Sequence, residues 1–139
     1  MAIPAAYERT EGPEPRRLRR VLVVDDSPSV LYVLRRALEP MDFRVDTVGS
    51  LGAALEILAR HEYSAVITDL RLGGDERTLG LEVLSACKRL HPGTDVIVLT
   101  GFGNPAVMEK AFELGANFYF EKPVALERLK LALVPEARP

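Results

Sequence analysis

Short apolar runs rich in Val and Ile, each stopping abruptly at polar residues, constrain this chain more than any other feature. Ala65-Val66-Ile67-Thr68 ends at Asp69, Val21-Leu22-Val23-Val24 at Asp25-Asp26, and Asp95-Val96-Ile97-Val98-Leu99 at Thr100-Gly101. A further run, Asn117-Phe118-Tyr119-Phe120, meets Glu121-Lys122-Pro123. Such runs are too short for helices and read as strands buried on both faces, the habit of parallel sheets packed between helices. In an open parallel α/β sheet the carboxyl ends of the strands share one edge, and ligands bind there. That edge is predicted to gather Asp25, Asp26, Asp69, Thr100 and Lys122.

The segments between the runs fit this reading. Ser27-Pro28 forms an N-cap with proline in the first helical turn, where its missing N–H costs nothing. Val30, Val33, Leu34, Ala37 and Leu38 then repeat at helical spacing as one buried face, and Pro40 ends the helix. Arg44-Val45-Asp46-Thr47-Val48 alternates more than the other strands and is predicted at a sheet edge. Ser50 opens a helix with Leu51, Ala54, Leu55 and Leu58 inward, ending near His61. A third helix spans about Leu81 to Leu90, with Val83, Leu84, Cys87 and Leu90 inward. A fourth starts near Pro105, carries Val107, Met108, Ala111, Phe112 and Leu114, and closes at Gly115 as a C-cap. Leu126, Leu129 and Leu133 mark a short last helix. Alternation of strand and helix implies a parallel sheet with right-handed crossovers and helices on both faces.

A chain of 139 residues holds one domain with a real core. With 18 Lys and Arg against 20 Asp and Glu, no whole-chain field points to nucleic acid or a membrane. The first twenty residues alone carry a balance of +2. Three prolines and no periodicity up to Pro15 mark residues 1–19 as a disordered leader, and Arg16-Arg17-Leu18-Arg19-Arg20 reads as a solvated lead-in. Residues 135–139 read as a tail. No run reaches the length of a membrane span or the apolar core of a secretion signal, so a cytoplasmic protein is expected. The single Cys87 forms no internal disulfide and is expected to be packed. His61 and His91 lie near helix ends, are expected to be exposed, and lack a partner at zinc-ligand spacing.

Clustered carboxylates repel, so holding Asp25, Asp26 and Asp69 together requires a counter-charge or raises a pKa. A divalent cation removes that conflict, and Mg²⁺ favours one or two carboxylates plus phosphate oxygens. Asp69 could bind the metal or attack phosphorus to form an aspartyl phosphate. Phosphoryl transfer asks chiefly for alignment and charge neutralisation, which a metal and an ammonium supply.

The residues Val21-Leu22-Val23-Val24-Asp25-Asp26-Ser27, Thr68-Asp69-Leu70-Arg71-Leu72, Leu99-Thr100-Gly101 and Tyr119-Phe120-Glu121-Lys122-Pro123 together resemble the receiver domain of a two-component response regulator. The likeness covers residues 20–134. It implies a flavodoxin-like, three-layer α/β/α fold with a five-stranded parallel sheet in the order 2-1-3-4-5 and five helices. It implies Asp69 as phosphoacceptor, taking a phosphoryl group from a phosphohistidine on a sensor histidine kinase or a histidine phosphotransfer protein. Mg²⁺ would be held by Asp25, Asp26, Asp69 and the backbone carbonyl of Arg71, and phosphate by Thr100 and Lys122. Thr100 and Tyr119 would form the switch, and Pro123 would follow a cis peptide bond. Phe102 would influence water access to the acyl phosphate.

The implied partners are the kinase, a downstream protein target, and a second copy through the face of the fourth helix, fifth strand and fifth helix. No membrane contact and no direct nucleic-acid binding are implied, and no enzyme activity beyond self-phosphorylation and self-dephosphorylation. The chain departs from the family in a longer loop at 70–80. Leu72-Gly73-Gly74 stands where proline is usual, and Gly80 comes several residues late, so greater mobility is expected there. Asp75 and Glu76 in that loop read as solvated acids. The competing readings are a non-phosphorylated interaction module on the same fold and an aspartate-dependent phosphatase. The phosphatase would want a second acid at position 27, where Ser27 stands. A dinucleotide binder lacks its glycine-rich turn after the first strand.

Overall fold

The computed structural model describes residues 19–73 and 77–134. The leader (apart from Arg19), Asp75, Glu76 and the tail therefore lie outside the described residues. Strands β1 (Arg19–Val24), β2 (Phe43–Val48), β3 (Ala65–Thr68), β4 (Asp95–Thr100) and β5 (Phe118–Glu121) alternate with helices α1 (Pro28–Leu38), α2 (Leu51–Leu58), α3 (Gly80–Leu90), α4 (Pro105–Glu113) and α5 (Leu126–Leu133). The sheet runs β2-β1-β3-β4-β5 with every neighbouring pair parallel. This is the flavodoxin-like order 2-1-3-4-5. The alternating strand β2 does lie at an edge, while β1, β3 and β4 are flanked on both sides, as their unbroken apolar runs require.

Two apolar layers sandwich the sheet. Leu22, Val24, Val66, Val96 and Val98 pack with Ala54, Leu58, Val83, Leu84, Cys87 and Ala111 of α2, α3 and α4. On the other face Val21, Val23, Ile67, Ile97 and Leu99 meet Leu34 and Leu38 of α1 and Leu129 and Leu133 of α5. Each fully buried Leu, Val or Ile contributes about 1.5–3 kcal/mol over an exposed one. Together they make β1, β3 and β4 the rigid base of whatever sits at their carboxyl ends.

The caps follow the residues. Ser27 Oγ accepts from Val30 N, Ser50 Oγ from Ala53 N, and Asn104 Oδ1 from Val107 N, each satisfying an otherwise orphaned helical N–H. Gly115, at φ +110°, ends the α4 segment in a conformation that favours glycine.

Several expectations need correction. Val33, Leu55 and Leu90 are exposed, not inward. Helical spacing shows which residues share a face but not how wide a stripe the sheet covers, and these residues sit at or beyond its margin. Helix α2 ends at Leu58, short of His61. His91 is half-buried, with Nε2 2.8 Å from the Leu58 carbonyl oxygen, because it closes α3 against the end of α2. Strand β1 starts at Arg19, one residue inside the span read as leader. Among the described residues, no helix is long and apolar enough to cross a membrane.

Candidate phosphoryl-transfer site

Strand register builds the site. Val24 pairs with Thr68, so the next residues, Asp25 and Asp69, emerge side by side, each tied into the ladder: Asp25 N donates to Val48 O at 3.1 Å and Asp69 N to Val24 O at 3.0 Å. Thr100 pairs with Glu121, and Lys122 N donates to Thr100 O at 2.9 Å. The peptide bond between Lys122 and Pro123 is cis.

Asp25 and Asp69 are both buried, and one ammonium serves both. Lys122 Nζ donates to Asp25 Oδ2 at 2.9 Å and to Asp69 Oδ2 at 3.0 Å. The remaining oxygens are held by the backbone: Ser27 N donates to Asp25 Oδ1 at 2.9 Å and Leu70 N to Asp69 Oδ1 at 2.7 Å. Burial pushes the Asp25 carboxyl above its ordinary range, against the lowering effect of Lys122 and the Ser27 amide, and the neighbouring Asp69 adds to the rise. Burial alone would lower the Lys122 ammonium. Its hydrogen bonds to Asp25 and Asp69 outweigh that, and the net shift is upward.

Asp26 stands apart from this pair. It is exposed, and its Oδ2 accepts from the Gly73 amide at 3.1 Å. Among the described residues, no three His, Cys, Asp or Glu side chains form a group arranged to hold a metal ion as they stand. Lys122 occupies the place between the two buried acids, and the third acid is bonded to the loop.

Thr100 is fully buried, and its Oγ1 accepts from Phe102 N at 3.2 Å. Tyr119 is half-buried beside Phe112, with ring centroids 6.3 Å apart. Its hydroxyl is buried, has no hydrogen-bond partner among the described residues, and fills space that a Cβ on Gly103 would occupy. Arg71 lays its guanidinium over the Phe102 ring at 4.2 Å, joining the loops that follow β3 and β4.

Gly80 is late in sequence but in place in space. Its N donates to Leu70 O at 2.8 Å, and a Cβ there would land on the Asp69 carbonyl oxygen. Helix α3 thus opens directly against the backbone of Asp69. Gly73 and Gly103 were not singled out as site residues by sequence reasoning. A glycine offers no chemistry to read, and only the neighbours it admits reveal its part.

The family profile described as "Response regulator receiver domain" matches residues 21–134. The acid tolerance regulatory protein ActR of Sinorhizobium medicae is 34% identical over 116 residues, covering 84% of this chain and 58% of its own length. A response regulator from Burkholderia pseudomallei, solved with a phosphorylated aspartic acid, calcium ion and citrate, superimposes with a TM-score of 0.77 at 29% identity. That likeness covers 86% of this chain and 68% of the other. The receiver domain of a sensor histidine kinase from Pseudomonas aeruginosa, with magnesium in its active-site cleft, gives a TM-score of 0.70 at 25% identity over 83% of this chain and 93% of the other. The chain spans 58%, 23% and 61% of the length of three curated relatives it matches.

Proposed function

This chain belongs to the response regulator receiver domain family of two-component signalling, and on that premise we propose that Asp69 is its phosphoacceptor. The donor is a phosphohistidine on a sensor histidine kinase or a histidine phosphotransfer protein. An Asp69 carboxylate oxygen forms the new P–O bond, the P–N bond to the imidazole breaks, and the leaving nitrogen takes up a proton. Lys122 pairs with the phosphoryl oxygens and Thr100 donates its hydroxyl to one of them. The observation that carries this reading is the single ammonium shared at 2.9 and 3.0 Å by two buried acids. That arrangement leaves Asp25 short of counter-charge.

The same shortage fits a hard divalent cation. Asp25, Asp26, Asp69 and the backbone carbonyl of Arg71 offer the oxygen donors Mg²⁺ prefers. When bound, the ion neutralises the equatorial phosphoryl oxygens. Phe102, with Arg71 stacked on it, screens the acyl phosphate from water and prolongs its life. Thr100 and Tyr119 carry the switch, since movement of Thr100 toward phosphate disturbs its bond to Phe102 N and the adjoining notch at Gly103 that admits the Tyr119 hydroxyl.

The readers of that switch are a downstream protein and a second copy of the chain through α4, β5 and α5, where Met108, Phe112 and Leu131 are exposed. We assign the domain to residues 20–134 and its place of action to the cytoplasm. We assign it no catalysis beyond its own phosphorylation and dephosphorylation. Incubation with a small phosphodonor and Mg²⁺, followed by intact mass, tests the proposal. A phosphate-sized gain that disappears in Asp69→Asn supports it, and no gain in the unmodified chain favours the non-phosphorylated interaction module.

A further inference from the structure

The lengthened loop after β3 touches the site at one backbone atom. Gly73 N donates to Asp26 Oδ2 at 3.1 Å, and Asp26 is the acid that neither Lys122 nor the strand ladder holds. The amide is not free to wander. Leu72 immediately before it is 1% exposed within the core, and the Leu70–Gly80 hydrogen bond closes the base of the loop. Gly73 itself has φ +88°, which turns the chain there in a way most side chains resist, and none of the described residues stands within 4 Å of where its Cβ would be. A carboxylate has two oxygens, so one fixed by an amide leaves the other available in a set orientation. Outer partners of this kind orient metal ligands and are worth an order of magnitude or more in affinity.

We propose that Gly73 is a positioning residue for the cation of this site, its amide aiming the Asp26 carboxylate. This rests on the Mg²⁺ reading above. The experiment is a titration of the full, EDTA-stripped chain with MgCl₂, followed by backbone amide chemical shifts, with thermal unfolding of the metal-free protein alongside. Gly73→Val meets a φ that a β-branched residue does not adopt, so it displaces the amide. Its Kd for Mg²⁺ is expected to rise about tenfold, with the metal-free chain still unfolding cooperatively at a lowered Tm. Gly73→Asn, which tolerates positive φ, is expected to recover most of the loss. In an Asp26→Ala background, which leaves the Gly73 amide no side-chain acceptor, Gly73→Val is expected to add nothing to the loss, because the amide acts through that carboxylate. Equal or tighter Mg²⁺ binding by Gly73→Val overturns the proposal, as does an undiminished effect in the Asp26→Ala background. An unmodified chain that binds no Mg²⁺ overturns the cation reading itself, a result distinguishable from these.

Discussion

Two clusters in this molecule set carboxylates against cations on the same sheet, and they settle differently. On β2, Asp46 accepts from the Tyr63 hydroxyl at 2.7 Å and from Arg20 at 3.3 Å, with Arg44 near. Burial would raise its pKa, yet these donors more than compensate and hold the carboxyl below its ordinary value. The Tyr63 phenol is pushed upward by burial and by Asp46. At the carboxyl ends of β1 and β3 the ratio is reversed, with two acids to one ammonium, and Asp25 is displaced upward. One acid with several donors is a structural lock. Two acids that share one ammonium, each with a single backbone amide besides, form a site that folding leaves short of positive charge.

The difference is open to attack, first where the effect is largest. Lys122→Ala removes the cation that, among the described residues, is bonded to the buried pair, and is expected to cost about 3 kcal/mol in urea unfolding with EDTA present, the low end for a broken buried pair because the ammonium is partly exposed. Added Mg²⁺ should restore more stability to that variant than to the unmodified chain; a loss below about 1 kcal/mol would make the two clusters equivalent. Asp46→Asn strips a charged acceptor from two donors and is expected to cost about 1.5 kcal/mol at pH 7. Asp25→Asn, which keeps an acceptor for the Ser27 amide, is expected to go the other way, gaining up to about 1 kcal/mol by relieving the excess charge. A destabilised Asp25→Asn would show that the site is as settled as the lock.

The pH dependence sharpens the contrast with smaller effects. Asp46, lowered when folded, contributes stability that is present above 3.8, its unfolded value, and is lost as pH falls through the lower folded one. Asp25, raised when folded, does the reverse, and its penalty disappears as pH falls to 3.8. Lys122, raised when folded, contributes fully below 10.5 and loses its share as pH climbs through the folded value. Urea midpoints between pH 3 and 7 should therefore decline less steeply for Asp46→Asn than for the unmodified chain, and more steeply for Asp25→Asn.

Much of this was legible in the residues. Apolar runs stopping at Asp25, Asp69 and Thr100 placed the strands and the edge, because a strand buried on both faces tolerates no polar residue until it ends. Serine before proline placed the start of α1. The burial of Val33 and Leu90 was misjudged, since periodicity is blind to the curvature and reach of the surface a helix covers. Also illegible was the tie between Asp26 and Gly73, which depends on where a loop of unusual length returns. Nor does a lone glycine such as Gly103 announce the hydroxyl it admits.

The closure between Leu70 and Gly80 separates where α3 begins from how long the loop before it is. Because α3 is hydrogen-bonded at its first residue to the chain beside Asp69, residues inserted after Gly73 are expected to leave the start of α3 in place, while residues inserted before that glycine would move the amide that holds Asp26.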